Sequence, residues 1–392
     1  MSAGEQPVPF GNYQYEIYLK GLGGETPELP IDYDDLEALA AERLAPEAFH
    51  YAAGGAGEGR SMTANRRAFD AWQILPRMLG DVSTRDLGTT VLGTTLPAPL
   101  MLGPVGVLSI MHEDAELAVA RAAARVGVPM CLSTAASSTM EDVAGELGRT
   151  PGWYQLYWPS DPELAESLVR RAEAAGYGAI VVTLDTRMMP WRPRDLNGAY
   201  LPFLRGEGIA NYLSDPVFRA RLEKPPEEDM QAAIGQWAQV FPNPTLGWDD
   251  LLRLREWTSL PILVKGVLHP DDARRAVARG AEGVVVSNHG GRQIDGSATP
   301  LGQLPAVVDA VGDRAAVLMD GGVRTGSDVL KAVALGADAV LVARSWVWGL
   351  GLGGQAGVEA ALRNLLADTD LTLAMSGLSS IDQVDRELLV KG

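Results

Sequence analysis

Only one cysteine, Cys131, occurs in the 392 residues, so neither an intramolecular disulfide nor a metal-thiolate cluster can be built. It lies in the apolar run Val128 to Leu132 and reads as a plain core residue. An excess of positive charge is also missing. With 33 basic against 50 acidic residues the net charge is -17, which argues against a nucleic-acid groove or an anionic membrane surface as partner. No run approaches the ~20 apolar residues of a membrane span. The opening MSAGEQPVPFGNYQYEIY has no basic patch followed by an apolar core, and an untargeted, cytoplasmic protein is expected. Core material is plentiful: 46% of residues are hydrophobic, enough for one large α/β barrel with decorations or for two ordinary domains.

Residues 1–80 show no strong strand run, only helical patterns from Asp32 to Leu44 and within Ser61 to Trp72, and read as a cap. After Leu96 short apolar strands alternate with amphipathic helices, the pattern of parallel βα units. The strands expected are Pro99 to Leu102, Pro129 to Leu132, Trp153 to Tyr157, Ala179 to Leu184, Pro261 to Lys265, Gly283 to Val286, Ala315 to Met319 and Ala339 to Val342. Between them, Asp114 to Val126, Pro162 to Ala175, Asp271 to Arg279 and Gly326 to Leu335 read as helices, several opening on an Asp or Ser cap. Eight such units predict a (β/α)8 barrel over 81–392 rather than an open doubly wound sheet. The interval 187–247, rich in Pro, Gly, Met and charge, is irregular and long enough to be a lid inserted after the fourth strand. A second irregularity is Trp346, Trp348 and their glycines, read as interface or barrel-bottom packing ahead of the last helix. There, Gly349 to Gly354 matches G-x-G-x-x-G, but it does not directly follow a strand, as a dinucleotide fingerprint must.

A barrel places its chemistry at the C-terminal strand ends. Those ends carry Gly103 to Gly106, Ser133 and Thr134, Gln155 and Tyr157, Thr183 and Asp185, Lys265, then Ser287, His289 and Arg292, Asp320 to Gly322 with Arg324, and Ala343 with Arg344. Singly, Thr183 or Gln155 is as readily a hydrogen-bonded core group and Arg344 a surface charge. Together they have no packing rationale. The last two ends, MDGGVRTG and LVARS, set backbone N–H groups, Arg324 and Arg344 around a helix start, where such barrels bind phosphate.

With SNHGGRQ (287–293), LVKG (263–266), DGGVRTG (320–326) and YQLY (154–157), the chain resembles the FMN-dependent α-hydroxy-acid oxidase and dehydrogenase family over nearly its whole length. The stretches YEIY, AGGAGE, WRPRDL, PFLRG and DPVF are most similar to its lactate 2-monooxygenase branch. The resemblance implies FMN as cofactor, no metal, a homotetramer or homo-octamer, and a role for each residue. His289 would be the base and Asp185 its orienting partner. Arg192 and Arg292 would clamp the substrate carboxylate, and Tyr51 and Tyr157 would hydrogen-bond the carboxylate and hydroxyl. Val105, Gly106, Ser133, Gln155, Thr183, Lys265 and Ser287 would surround the flavin ring and ribityl chain. Asp320, Gly322, Arg324 and Arg344 would hold the phosphate end, with Ala343 where relatives usually carry Gly.

A second departure is Ala135, where relatives place a bulky Trp or Leu against the substrate side chain; Met188 and Met189 are candidates to fill that space. The leading expectation is oxidation of a small L-2-hydroxy acid, L-lactate foremost, by O2 to acetate, CO2 and water. An oxidase releasing the 2-keto acid and H2O2, a mandelate-type dehydrogenase passing electrons to a quinone or protein acceptor, and a non-catalytic flavoprotein remain as alternatives.

Overall fold

The computed structural model describes residues 8–392, so the first seven residues of the expected cap lie outside it. Eight parallel strands close into a barrel: β1 (Leu100–Leu102), β2 (Met130–Ser133), β3 (Gly152–Leu156), β4 (Ile180–Thr183), β5 (Ile262–Val267), β6 (Gly283–Val286), β7 (Ala316–Asp320) and β8 (Ala339–Val342), with β8 paired back to β1. Each overlaps the run picked from the sequence, because a strand buried on both faces shows as an unbroken apolar run. The helices Ala115–Val126, Pro162–Ala174, Pro270–Ala278 and Gly326–Ala334 also fall where expected. Asp161 caps the second of these and a Thr325–Asp328 capping box opens the fourth. Asp114 makes no cap; its carboxylate pairs with Arg121 instead.

The barrel interior explains why the mouth is polar. Met101, Cys131, Trp153, Val181, Leu263, Val285, Leu318 and Leu341 form one buried cluster inside it. Side chains alternate along a strand, so the next inward positions are Gly103, Ser133, Gln155, Thr183, Lys265, Ser287, Asp320 and Ala343. An apolar layer therefore sits directly beneath the layer that carries the chemistry.

The structure departs from expectation in four places. A hairpin of Thr89–Val91 with Thr94–Leu96 plugs the barrel bottom, adding Val91 and Leu96 to the interior cluster; Trp153 Nε1 donates to Thr94 Oγ1 at 2.9 Å. Residues 1–80 do contain a strand, Trp72–Ile74, which pairs antiparallel with Leu389–Lys391. Three-residue strands carry too little alternation to be seen alone. The interval 187–247 is not wholly irregular but carries short helices such as Pro193–Asn197, Pro216–Ala220 and Met230–Val240. Trp346 and Trp348 lie within the last helix, Arg344–Met375, at 1% and 0% exposure. They are packing, not an exposed interface. Among the described residues no helix is long and apolar enough to cross a membrane.

The G-x-G-x-x-G match has a packing cause. The last helix kinks at Gly353 and Gly354, the latter at φ +56°, and folds back so that Gly349 and Gly357 meet. A Cβ at Gly349 would lie 2.4 Å from the Gly357 carbonyl oxygen. Backbone cannot yield as a flexible side chain would, so Gly349→Ala should cost about 1–3 kcal/mol and lower the thermal midpoint of the holoprotein. An unchanged midpoint contradicts this reading of the glycines.

Candidate active site

A cavity of about 540 Å³ opens at the C-terminal mouth of the barrel, a size that suits a cofactor with a small substrate. Tyr51, Val105, Gly106, Tyr157, Arg192, Lys265, His289, Arg292, Asp320, Gly322, Arg324, Ala343 and Arg344 line it. Ser133, Gln155, Thr183, Ser287 and Asp185 are not on its wall. Ser133, Gln155, Thr183 and Ser287 are buried behind it, with Ser133 Oγ donating to Gln155 Oε1 and Gln155 Nε2 to Thr183 Oγ1, each at 2.9 Å; Asp185 is half-buried and reaches the cavity through His289.

His289 follows β6 on a turn that holds it at φ +58°. Asn288 fixes that turn, accepting from Gly291 N at 3.0 Å and exchanging two 2.8 Å amide bonds with Asn65 of the helix Arg60–Asp70. His289 Nδ1 lies 2.8 Å from Asp185 Oδ1, and its Nε2 lies 3.3 Å from the Tyr157 hydroxyl. A carboxylate at Nδ1 selects the tautomer whose Nε2 lone pair is free. Burial pulls the imidazole pKa below its ordinary value, Asp185 opposes this, and the Lys265 charge adds to the lowering. Burial would raise the Asp185 carboxyl, but His289, Lys265 and Thr186 together bring it below the usual carboxylate range. The pair is a neutral base beside a fixed anion, the arrangement that accepts a proton near neutral pH.

Three cations surround it. Lys265 Nζ lies 2.8 Å from Asp320 Oδ2 and donates to Ser287 Oγ at 3.1 Å, while Ser287 Oγ donates to Asp320 Oδ1 at 2.6 Å. Burial disfavours its charge, yet Asp320 and Asp185 overcome that and hold its pKa above the ordinary lysine value. Arg292 is anchored by three bonds from one guanidinium nitrogen to the carbonyls of Tyr51, Ala52 and Gly54. Burial, then Arg192, pulls its pKa down to about 9. Arg192 pairs with Asp195 at 3.3 Å, but its buried Nε has no partner among the described residues. Both guanidiniums stand over the Tyr51 ring, at 5.3 and 5.7 Å. Crowded, desolvated guanidiniums with an unused donor are completed by an anion.

The phosphate end lies beyond β7 and β8. The helix after β7 has its first donors taken by the capping box and by Asp368, which accepts from Gly326 N at 2.6 Å. The helix opening at Arg344 has no side-chain cap; Trp346 N and Val347 N donate to Ala343 O, which leaves the N–H groups of Arg344 and Ser345 for an anion. Arg344 Nε donates to Ala52 O at 3.1 Å. Arg324 lies 2.7 Å from Asp34 and 3.9 Å above the Tyr33 ring. Gly321 and Gly322 turn the backbone at φ +96° and +89°, and a Cβ at Gly322 would strike Asn65 O at 2.9 Å. Cations and bare N–H groups at one end, with a protonated lysine on the wall, fit the phosphate and electron-poor ring of FMN.

Several contributors escaped the sequence reading. Glu116 is fully buried and accepts from the backbone of Leu108, Ser137 and Ser138, tying the loops after β1 and β2 together; burial raises its pKa. Its position on one helical face with Val119, Ala120 and Ala123 was a usable signal. Asn65 and Phe241 gave none, because each acts through a contact with a distant segment; Gln293 and Phe203 lay within SNHGGRQ and PFLRG, and Thr186 beside Asp185, without a role being legible.

The family model described as FMN-dependent dehydrogenase matches residues 40–391. An FMN-dependent alpha-hydroxy acid dehydrogenase of Penicillium citrinum is 42% identical over 387 residues, covering 98% of this chain and 96% of the relative. An L-lactate oxidase of Lysinibacillus sphaericus is 40% identical over 376 residues, covering 96% of each. The crystal structure of a mandelate oxidase matches with a TM-score of 0.82 at 37% identity, covering 93% of this chain and 98% of that one.

Arg192→Met tests the anion site. Oxalate should bind at least about 30-fold more weakly, while the flavin absorbance of the purified protein is retained. Unaltered oxalate binding would remove Arg192 from the site.

Proposed function

This chain belongs to the FMN-dependent dehydrogenase family, and from that premise we propose that it oxidises a small L-2-hydroxy acid, L-lactate foremost, with O2 as electron acceptor. FMN is the cofactor; when bound, it takes two electrons from the substrate and passes them to oxygen. The observation that carries the reading is a neutral His289, held by Asp185, sharing one cavity with the Arg192–Arg292 pair.

In this reading the two guanidiniums take the carboxylate and fix its orientation as well as its charge. Tyr51 and Tyr157 hydrogen-bond the carboxylate and hydroxyl. Burial pushes the Tyr157 phenol up to about 12, so it stays protonated and can donate. His289 Nε2 accepts the substrate proton, and the Asp185 carboxylate stabilises the imidazolium that results. Lys265 supplies fixed positive charge where negative charge develops. Val105 and Gly106 bound the cofactor's ring side, with Ser133, Gln155, Thr183 and Ser287 ordering the row behind it. Asp320, Gly322, Arg324, Arg344 and the Ala343 backbone hold the phosphate end.

Residues 81–392 serve as the catalytic barrel, 1–80 as its cap and 187–247 as an insertion that lends Met189, Arg192, Phe203 and Phe241 to the cavity. A keto acid enclosed by that insertion stays beside the hydrogen peroxide formed with it and is decarboxylated, so that lactate and O2 give acetate, CO2 and water. A second reading, a 2-hydroxy-acid oxidase, is favoured by the exposed Met188 and Trp191 at the start of the insertion, which suit early release of the keto acid. A homotetramer or homo-octamer is proposed as well, the exposed Tyr18, Leu19 and Leu22 of the helix Tyr13–Leu22 offering an apolar face.

Aerobic turnover of L-lactate should yield one acetate per lactate with no free peroxide; stoichiometric pyruvate and H2O2 would replace the monooxygenase reading with the oxidase one. His289→Ala should keep the yellow flavin spectrum and slow its anaerobic reduction by lactate about 10²–10⁴-fold. Reduction at the wild-type rate would take the base role from His289.

A further inference from the structure

The space left by Ala135 is closed from another element. Val107 N donates to Ala135 O at 2.8 Å, with Val107 at φ +64°, and a Cβ at Gly106 would lie 2.8 Å from the Ala135 Cβ. Against this pair packs Gly208 of the 187–247 insertion. A Cβ there would be 2.7 Å from Val107 Cγ2, 3.0 Å from Ala135 O and 3.1 Å from Phe203 Cε1. Phe203, Val107 and Ala135, all three lining the cavity, therefore meet around Gly208.

The Phe203 ring is held in place. It stacks on Trp237 at 4.8 Å, and Phe241 lies 4.9 Å from Trp237 and 5.4 Å from Tyr157, the ring that reaches His289. Phe203 and Phe241 are only 6% and 8% exposed, yet both line the cavity. The segment carrying Phe203 is fastened to the loops after β1 and β2. Ala210 N donates to Ala136 O at 3.1 Å, Asn211 Nδ2 to Thr134 O at 3.2 Å, Met140 N to Asn211 Oδ1 at 2.8 Å, and Ser109 Oγ to the Glu207 carboxylate. This part of the insertion is a fixed wall.

We infer that Phe203, not residue 135, limits the size of the substrate's side chain, so that the cavity takes short aliphatic L-2-hydroxy acids and turns away aryl ones. The inference rests on the 2-hydroxy-acid reading of the same site. An apolar wall in contact discriminates through packed volume, and removing a ring admits larger groups while loosening the hold on small ones.

Anaerobic flavin reduction of the holoenzyme by L-lactate, L-2-hydroxybutyrate and L-mandelate tests it. The wild-type protein should prefer lactate to mandelate. Phe203→Ala, and the more conservative Phe203→Leu, should raise the mandelate-to-lactate ratio of reduction efficiency, at least about 10-fold in the alanine variant, with oxalate binding within a few-fold of wild type as a check on the carboxylate clamp. A wild-type preference for mandelate, or a ratio unchanged in both variants with oxalate binding intact, overturns the role of Phe203 alone. Failure of every 2-hydroxy acid to reduce the wild-type flavin overturns the functional reading beneath it.

Discussion

The 2.8 Å contact between His289 and Asp185 is the constraint on which the rest depends. The two residues follow β6 and β4, which are not neighbours, since β5 lies between them. The curvature of the closed barrel and its level strand ends bring them together across that intervening strand. The turn that aims the imidazole holds a non-glycine residue at φ +58°, a conformation that costs about 1–3 kcal/mol. It persists because Ser287 Oγ accepts from His289 N at 2.9 Å and the paired amides of Asn65 and Asn288 lock the turn against the N-terminal segment. The helices ahead of the barrel thus help to position the His289 imidazole.

The same architecture tolerates charge where charge is costly. Lys265 is almost wholly buried, and an unpaired ammonium there would be strongly disfavoured. Asp320 at the end of β7 and Ser287 just after β6 satisfy it. Beneath this row the barrel is filled by Trp153, Leu263, Val285 and their neighbours, and the change from apolar to polar takes a single step of the two-residue strand period. Arg192 and Arg292 are handled differently. They are crowded against one another over Tyr51, and in the proposed reading a ligand carboxylate relieves the crowding.

That alternation is why so much was legible in the sequence. Leu263 then Lys265, Val285 then Ser287, and Leu318 then Asp320 each show an interior apolar residue followed two positions later by a mouth residue, so strands and site emerge from one pattern. The hairpin around Thr94, the strand Trp72–Ile74 and the aromatic wall of Phe203, Trp237 and Phe241 were not legible. The hairpin pairs locally but its strands are three residues each, and the other two are short pieces whose partners lie further along the chain. Ala135 shows the limit most clearly. The sequence displays a missing side chain, and the neighbouring wall comes from residues nearly seventy positions later. The residues proposed to hold the carboxylate and hydroxyl were therefore readable, while the wall proposed to select among side chains was not.

The measurement closest to the central claim is the pH dependence of the second-order rate constant for anaerobic flavin reduction, taken at L-lactate well below saturation so that it reports the free enzyme. The base must be neutral to accept the proton, and burial places the His289 pKa below its ordinary 6.5. The rate should therefore fall only as pH drops through a midpoint below 6.5, and be level from there to about pH 8. A midpoint above about pH 7, where His289 would be protonated in the resting site, would contradict the account.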